Sequence, residues 1–221
     1  MKDLRGIKGS HYIASLIEQG EHEQQDFKFA IPDSRKIARS ISAFANHSGG
    51  RLLIGVKDNG TIAGVRSEED VYMVEQAAEL FCDPPQQIVI TPFRVDGGIL
   101  VVRVEIPPAL HRPVCVRENG GELKAYFRVR DENILASPLM VRAWRQAADP
   151  DNAPLIQLDA TARSLLALAA REQGVDLNEF MLSAHLSEAV AEQLAVTLHC
   201  MHLLDFKYID GRFKLSAIDI G

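Results

Sequence analysis

Gly20 to Val65 reads GEHEQQDFKFAIPDSRKIARSISAFANHSGGRLLIGVKDNGTIAGV, and the fold of the longer part of the chain turns on it. Asp26-Phe27-Lys28-Phe29 alternates polar and apolar residues, which predicts a half-buried strand with both Phe rings inward. Pro32-Asp33-Ser34 opens a helix, and Ile37, Ile41, Phe44 and Ala45 then recur at i, i+4, i+7 and i+8, giving one apolar face. Asn46-His47-Ser48-Gly49-Gly50 stops that helix. Leu52-Leu53-Ile54-Gly55-Val56 is a short, nearly continuous apolar run, the pattern of a strand covered on both faces. Asn59-Gly60 tolerates the positive φ of a tight hairpin, so Thr61 to Val65 is predicted to return as the next strand.

Outward from this stretch the reading stays mixed. His11 to Gln19 predicts a short helix ending at Gly20. Ser67-Glu68-Glu69-Asp70 has the hydroxyl and acidic charge of a helix N-terminus, with the helix reaching Phe81. Gln87 to Val95 and Ile99 to Ile106 predict strands about a turn at Asp96-Gly97-Gly98, Leu123 to Val129 predicts another, and Ser137-Pro138 opens a helix through Trp144. Ala148-Asp149-Pro150-Asp151-Asn152-Ala153-Pro154 combines turn-forming residues and prolines, which sets an expected boundary between domains 1–148 and 155–221. Beyond it come three helical stretches, Thr161 to Ala170, Asp176 to Met181 and Ser187 to Leu203. Two short strands about Asp210-Gly211 follow, the plan of a winged helix. The expected class is α+β: a mixed β-sheet with flanking helices, followed by a small helical, winged-helix-like module.

With 221 residues, 47% of them hydrophobic and 24% charged, the chain can bury a substantial core. No apolar run reaches the ~18 residues that span a bilayer. Cys82, Cys115 and Cys200 are isolated and fit free thiols, so a cytoplasmic, reducing setting is expected. The net charge of −6 argues against a whole-molecule grip on polyanions. The excess is uneven: residues 151–221 hold 5 of the 24 Lys and Arg but 10 of the 30 Asp and Glu. Contact with a polyanion is therefore expected on the first part. Arg112, Arg117, Lys124, Arg128 and Arg130 crowd together there with Tyr126 and Phe127; on a strand Tyr126, Arg128 and Arg130 would share one side, suiting phosphate and unpaired bases.

Glu21, Asp26-Phe27-Lys28, Ala43-Phe44-Ala45-Asn46, Gly49-Gly50, Ile54-Gly55-Val56, Asp58, Gly60 and Gly64-Val65 stand in the order and spacing of a known domain. Tyr126-Phe127-Arg128-Val129-Arg130 and Ala136-Ser137 follow in the same order. Over roughly residues 10–148 the chain resembles the Schlafen-type AlbA-like family, in which Asn46 and glycines 49, 50, 55, 60 and 64 are motif positions (Gly49, Gly50, Gly55, Gly60 and Gly64). The resemblance implies association with nucleic acid, DNA or RNA. It also implies, as in RNA-cleaving members, three acidic residues at a divalent cation, which match Glu21, Asp26 and Asp58. Converging carboxylates repel unless a cation lies between them, and oxygen-only ligands suit Mg²⁺ or Mn²⁺. Glu21 and Asp26 are five apart and converge only if a turn separates them. Asp26 stands where the family usually has Glu, and His22 where a small polar residue is common, which weakens the case for a nuclease. Gly49-Gly50 lies between a helix and a strand, the reverse of a phosphate-cradling loop, and reads as helix termination.

The functional expectation is a nucleic-acid-associated, regulator-like protein contacting its ligand through Lys28, Arg117, Lys124, Tyr126, Arg128 and Arg130. The alternatives are a metal-dependent nuclease and a protein–protein adaptor. The helix over Ser187–Leu203 contains no Lys or Arg, and Gln193 and Asn178 are its neighbourhood's few amide donors, so this module is expected to pack or self-associate rather than read bases. Leu194, Val196, Leu198, Met201, Leu203 and Leu204 would supply its apolar surface, and a homodimer is expected.

Overall fold

The computed structural model describes residues 6–65, 67–149 and 158–218. The chain divides into two compact units, Met1–Leu110 with Val114–Ala136, and His111–Pro113 with Ser137–Gly221. Most of the Pro-Asp linker, from Pro150 to Pro154, lies outside the described residues.

In the first unit, β1 (Ile7–Lys8), β2 (Gln25–Lys28), β3 (Gly50–Ile54), β5 (Val89–Arg94) and β6 (Leu100–Ile106) form a sheet in the order β1-β5-β6-β3-β2. It is mixed: β2 runs parallel to β3 and β1 to β5, and the remaining pairs are antiparallel. β3 sits inside it, as its unbroken apolar run predicts. Leu52 and Ile54 join a core with Ile37, Ile41 and Phe44 of α2 (Ser34–Ala45), whereas Leu53 joins Ile13 and Leu16 of α1 (Ser10–Glu18) on the other face. Each such fully buried Leu, Ile or Phe contributes ~1.5–3 kcal/mol. Phe27 is buried as expected; Phe29 is only half-buried, beyond the strand, with Lys57 Nζ 5.4 Å from its ring centre.

The expected return strand at Thr61–Val65 does not form. Ala63 and Gly64 both donate to Gly55 O, curling the chain into a turn, and a single bridge, Val56 to Ile62, remains. β6 takes the place beside β3. This turn requires glycine: Gly55 has φ +92, and a Cβ there would lie 2.7 Å from Gly64 C. α3 (Glu68–Gln76), capped by Ser67, continues into a π-helical turn to Phe81.

A second sheet, in the order β4-β7-β8-β9, comprises β4 (Cys82–Asp83), β7 (Cys115–Arg117), β8 (Leu123–Val129) and β9 (Glu132–Leu135). It covers the side of α2 that the sequence marks as polar. Ser40, Ser42 and Asn46 are buried, and their side chains are satisfied by the sheet. Ser42 Oγ donates to Val114 O and accepts from Tyr126 N–H, while Ser40 Oγ accepts from Asn133 Nδ2. Asn46 Nδ2 donates to Val114 O at 2.8 Å and Tyr126 O at 2.9 Å, and its Oδ1 accepts from Val114 N–H at 2.7 Å. Gly49, with φ +76, turns the chain out of α2, its N–H donating to Phe44 O; Gly50 packs on the Phe44 ring.

The second unit holds α4 (Pro138–Ala147), α5 (Ala160–Ala169), α6 (Leu177–Ala184), α7 (Glu188–Cys200) and the hairpin β10 (Leu204–Ile209) and β11 (Arg212–Ala217). Ser137 and Asp176 cap their helices as the sequence predicts, and Asp159 caps α5. Val175, between α5 and α6, exchanges two 2.9 Å backbone bonds with Leu215 and adds a third rung beside the hairpin. α4 packs on α7, which places it in this unit, before the expected boundary at 148. No helix among the described residues is long and apolar enough to cross a membrane.

Candidate nucleic-acid interface

Glu21 and Asp26 do converge, and by the device that their spacing demands. His22 and Gln25 exchange backbone hydrogen bonds, N–H to C=O in both directions, so the chain reverses at Glu23-Gln24 and returns Glu21 to the start of β2. Glu21 Oε1 accepts from Phe27 N–H at 2.8 Å, and its carboxyl shares a hydrogen bond with Asp26. Burial first, then that shared bond, pushes the Glu21 carboxyl up to about 7. His22 is held below its ordinary range by burial and by Arg51 and Arg128, and its Nδ1 accepts from Gln24 N–H, the role of a neutral ring. Buried Gln25 fastens the turn: its Nε2 donates to Leu16 O and Gly20 O, and its Oε1 accepts from Arg51.

Asp58 is not part of this pair. It lies exposed in the turn before Gly60, and among the described residues no group of three or more His, Cys, Asp or Glu is placed to hold a metal ion. Positive charge at Asp26 already comes from the protein: Lys28 Nζ lies 2.7 Å from Oδ2 and Arg128 NH2 3.8 Å from Oδ1. A carboxylate already neutralised by Lys28 and a third acid that does not join the pair do not fit Mg²⁺ or Mn²⁺.

The six residues expected at a basic face divide into framework and surface. Arg128 is 1% exposed. Its guanidinium lies 4.8 Å from the Phe44 ring centre and donates to Asn133 Oδ1, His22 O and Gln25 O, tying β8 to β9 and to the acidic turn. It is therefore a structural residue, because alternation along β8 sends Lys124, Tyr126 and Arg128 to the side that α2 covers. Tyr126 is committed too. Its hydroxyl donates to Glu118 Oε1 at 2.7 Å, Arg39 grips the same carboxylate through Nε and NH2, and the Arg39 guanidinium stands over the Tyr126 ring. Arg39 holds Glu118 below the usual carboxylate range; burial and Glu118 push the Tyr126 hydroxyl up to about 12. Sequence reasoning missed this cluster because its members are far apart in the chain. Arg130 lies past the end of β8 at φ +54, so it does not continue the strand's face.

The surface members are Arg117, Lys124, Lys28 and Arg130. Arg117 pairs with Asp83 at 2.7 Å and Lys124 with Glu122 at 3.0 Å. Arg130 lines an open cleft of about 540 Å³ with Glu21, His22, Glu23, Gln24, Ser48 and Asp131.

In the second unit, Val196, Leu198 and Leu204, expected to form an association surface, are fully buried. Gln193, a candidate base reader, is hydrogen-bonded by Arg142, which also pairs with Glu192 at 3.1 Å. Among the described residues there, the most exposed large apolar side chains are Leu182 at 77% and Val190 at 52%.

Among solved structures, the N-terminal domain of an ATP-dependent DNA helicase RecG-related protein from Nitrosomonas europaea is similar, with 19% identity and a TM-score of 0.42, over 55% of this chain and 88% of that one. The DIP2311 protein from Corynebacterium diphtheriae is similar at 20% identity and a TM-score of 0.43; the match covers 87% of this chain and 34% of that one, so it spans about a third of DIP2311. No curated protein matches the chain. The family pattern described as Schlafen, AlbA_2 matches residues 21–137, more than half of the chain, and contains the acidic turn, α2 and both sheets' central strands. The chain belongs to the Schlafen AlbA_2 family.

Proposed function

We propose that the protein associates with nucleic acid in a regulator-like role, its first unit contacting phosphates through Lys124, Arg130 and Arg117. The carrying observation is the state of these cations within a Schlafen AlbA_2 unit: Arg117 and Lys124 are tied only by solvent-exposed ion pairs, worth ~0–1 kcal/mol, which a phosphate can displace at little cost. Lys28 stays with Asp26 and Arg128 stays inside.

In the second unit α5, α6 and α7, the hairpin and the Val175 rung make a winged-helix-like arrangement, and we assign the unit to self-association as a homodimer through the exposed Leu182 and Val190. Its α7 carries no Lys or Arg, and Arg142 occupies its Gln193.

The test titrates the full chain with single-stranded and duplex DNA and RNA across salt. Affinity falling linearly in log–log form, and weakened by Lys124→Gln with Arg130→Gln, supports the reading. Absence of salt-dependent binding to all four ligands refutes it.

A further inference from the structure

The second unit is acidic overall, yet three of the five Lys and Arg in residues 151–221 fall in its last hairpin: Lys207, Arg212 and Lys214. The register gathers them. Lys207 pairs directly with Lys214, and Ile209 with Arg212. Strand alternation puts Lys207, Arg212 and Lys214 on one face, while Phe206, Tyr208, Phe213 and Leu215 take the other, with the Tyr208 and Phe213 rings 5.0 Å apart. Side chains directly opposite in an antiparallel pair start about 5 Å apart, and the diagonal Lys207–Arg212 pair about 7–8 Å. Like charges directly opposed destabilise a hairpin, and a diagonal acid on either strand would have relieved them. The hairpin acid at such a position, Asp205, diagonal to Lys214, is turned to its own strand instead, accepting from Phe206 N–H with His199 at 3.7 Å. Arg212 has only a long contact, 3.6 Å, to Asp176, whose other oxygen caps α6. Among the described residues Lys207 and Lys214 have no acidic partner within ion-pair distance.

We infer that this face of the hairpin is a second phosphate-contacting surface, on which a nucleic-acid backbone supplies the charge that the opposed lysines lack. The inference builds on the nucleic-acid reading but places contacts on another unit and other residues. It makes the hairpin, rather than α7, the element of this module that meets the ligand.

The experiment measures binding of the full chain to a mixed-sequence DNA duplex and to oligo(dT) by fluorescence anisotropy across salt. Lys207→Gln with Lys214→Gln removes two phosphate contacts, so the log–log salt slope on duplex becomes shallower by about 2, and by about 1.4 on the single strand. Between about 50 and 200 mM salt, the affinity lost on duplex shrinks roughly tenfold relative to wild type. Arg163→Gln with Arg171→Gln makes the same change in net charge elsewhere in the unit and leaves the slope as in wild type; unchanged circular dichroism shows that both variants are folded. A wild-type slope in the Lys207/Lys214 variant overturns the inference, and so does an equal change in the Arg163/Arg171 variant. If only Lys124→Gln with Arg130→Gln alters the slope, the hairpin is excluded while the first-unit reading stands; the converse result keeps the hairpin and excludes that face. Binding to polyglutamate and to neither nucleic acid overturns the inference in favour of an acidic protein partner.

Discussion

Replacing Arg128 with methionine removes a charge from a site that is 1% exposed while keeping most of the side-chain volume. Asn133 Oδ1 loses its donor at 2.9 Å, Gln25 O at 3.2 Å and His22 O at 3.3 Å keep only the backbone bonds that they exchange, and Asp26 loses one of its two cations. Breaking a buried pair typically costs ~3–5 kcal/mol. Here Asp26 keeps Lys28 at 2.7 Å and the Arg128 contact is long, 3.8 Å, which moves the expectation to the low end, about 3 kcal/mol. With a urea m-value of ~2–3 kcal/mol/M the midpoint falls by roughly 1–1.5 M. The single tryptophan, Trp144, is in the second unit, so the first unit is followed by circular dichroism. Arg128→Lys restores charge without the fork and recovers part of the loss. A variant with wild-type stability and lost nucleic-acid binding would refute this reasoning, making Arg128 a ligand contact instead of a framework residue.

Asn46→Ala leaves Val114 N–H and Tyr126 O without their side-chain partner, while Val114 O keeps Ser42 Oγ, and should cost ~2–4 kcal/mol in urea unfolding. Gly55→Ala, at φ +92 and with its Cβ 2.7 Å from Gly64 C, should destabilise by several kcal/mol, whereas Gly120→Ala, at φ +90 in open space, should cost only the ~1–2 kcal/mol of the conformation itself; equal thermal shifts in the two would contradict the close-approach argument. The Glu21 carboxyl, raised to about 7 from an ordinary 4.5, favours the protonated form in the fold. Its contribution is therefore complete below about 4.5 and is lost as pH rises through 7, on the order of 1 kcal/mol once solvent screening of this half-exposed group is allowed for. Glu21→Gln should flatten that part of the stability–pH profile, and an unchanged slope would exclude Glu21 as its source.

The elements that the sequence made legible are those with local signals: the α2 apolar stripe, the β3 run, the capped helices after Asp33, Ser67, Ser137 and Asp176, and the Asp210-Gly211 hairpin. Short strands without a pattern of their own, such as Cys82–Asp83 and Cys115–Arg117, exist only through partners distant in the chain and were not foreseen. The convergence of Glu21 and Asp26 was legible as a condition, a turn between them, and His22–Gln25 meets it. The fate of Arg128 was not, because period-2 alternation says which residues share a side and leaves open which side meets α2. The hairpin's opposed lysines could have been found: a two-residue turn at Asp210-Gly211 fixes Ile209 against Arg212 and hence Lys207 against Lys214.

α2 has consequences for how small a working piece of this protein can be. Its isoleucines and Phe44 serve the five-stranded sheet, and its serines and Asn46 serve the four-stranded one. A fragment truncated at Ile106 would keep every strand of the larger sheet yet strip the partners from Ser40, Ser42 and Asn46 and bare the Val114 and Val116 sites of the shared core. The shortest autonomously folding piece therefore runs through Leu135, and two layers that look separable on a topology diagram must melt as one.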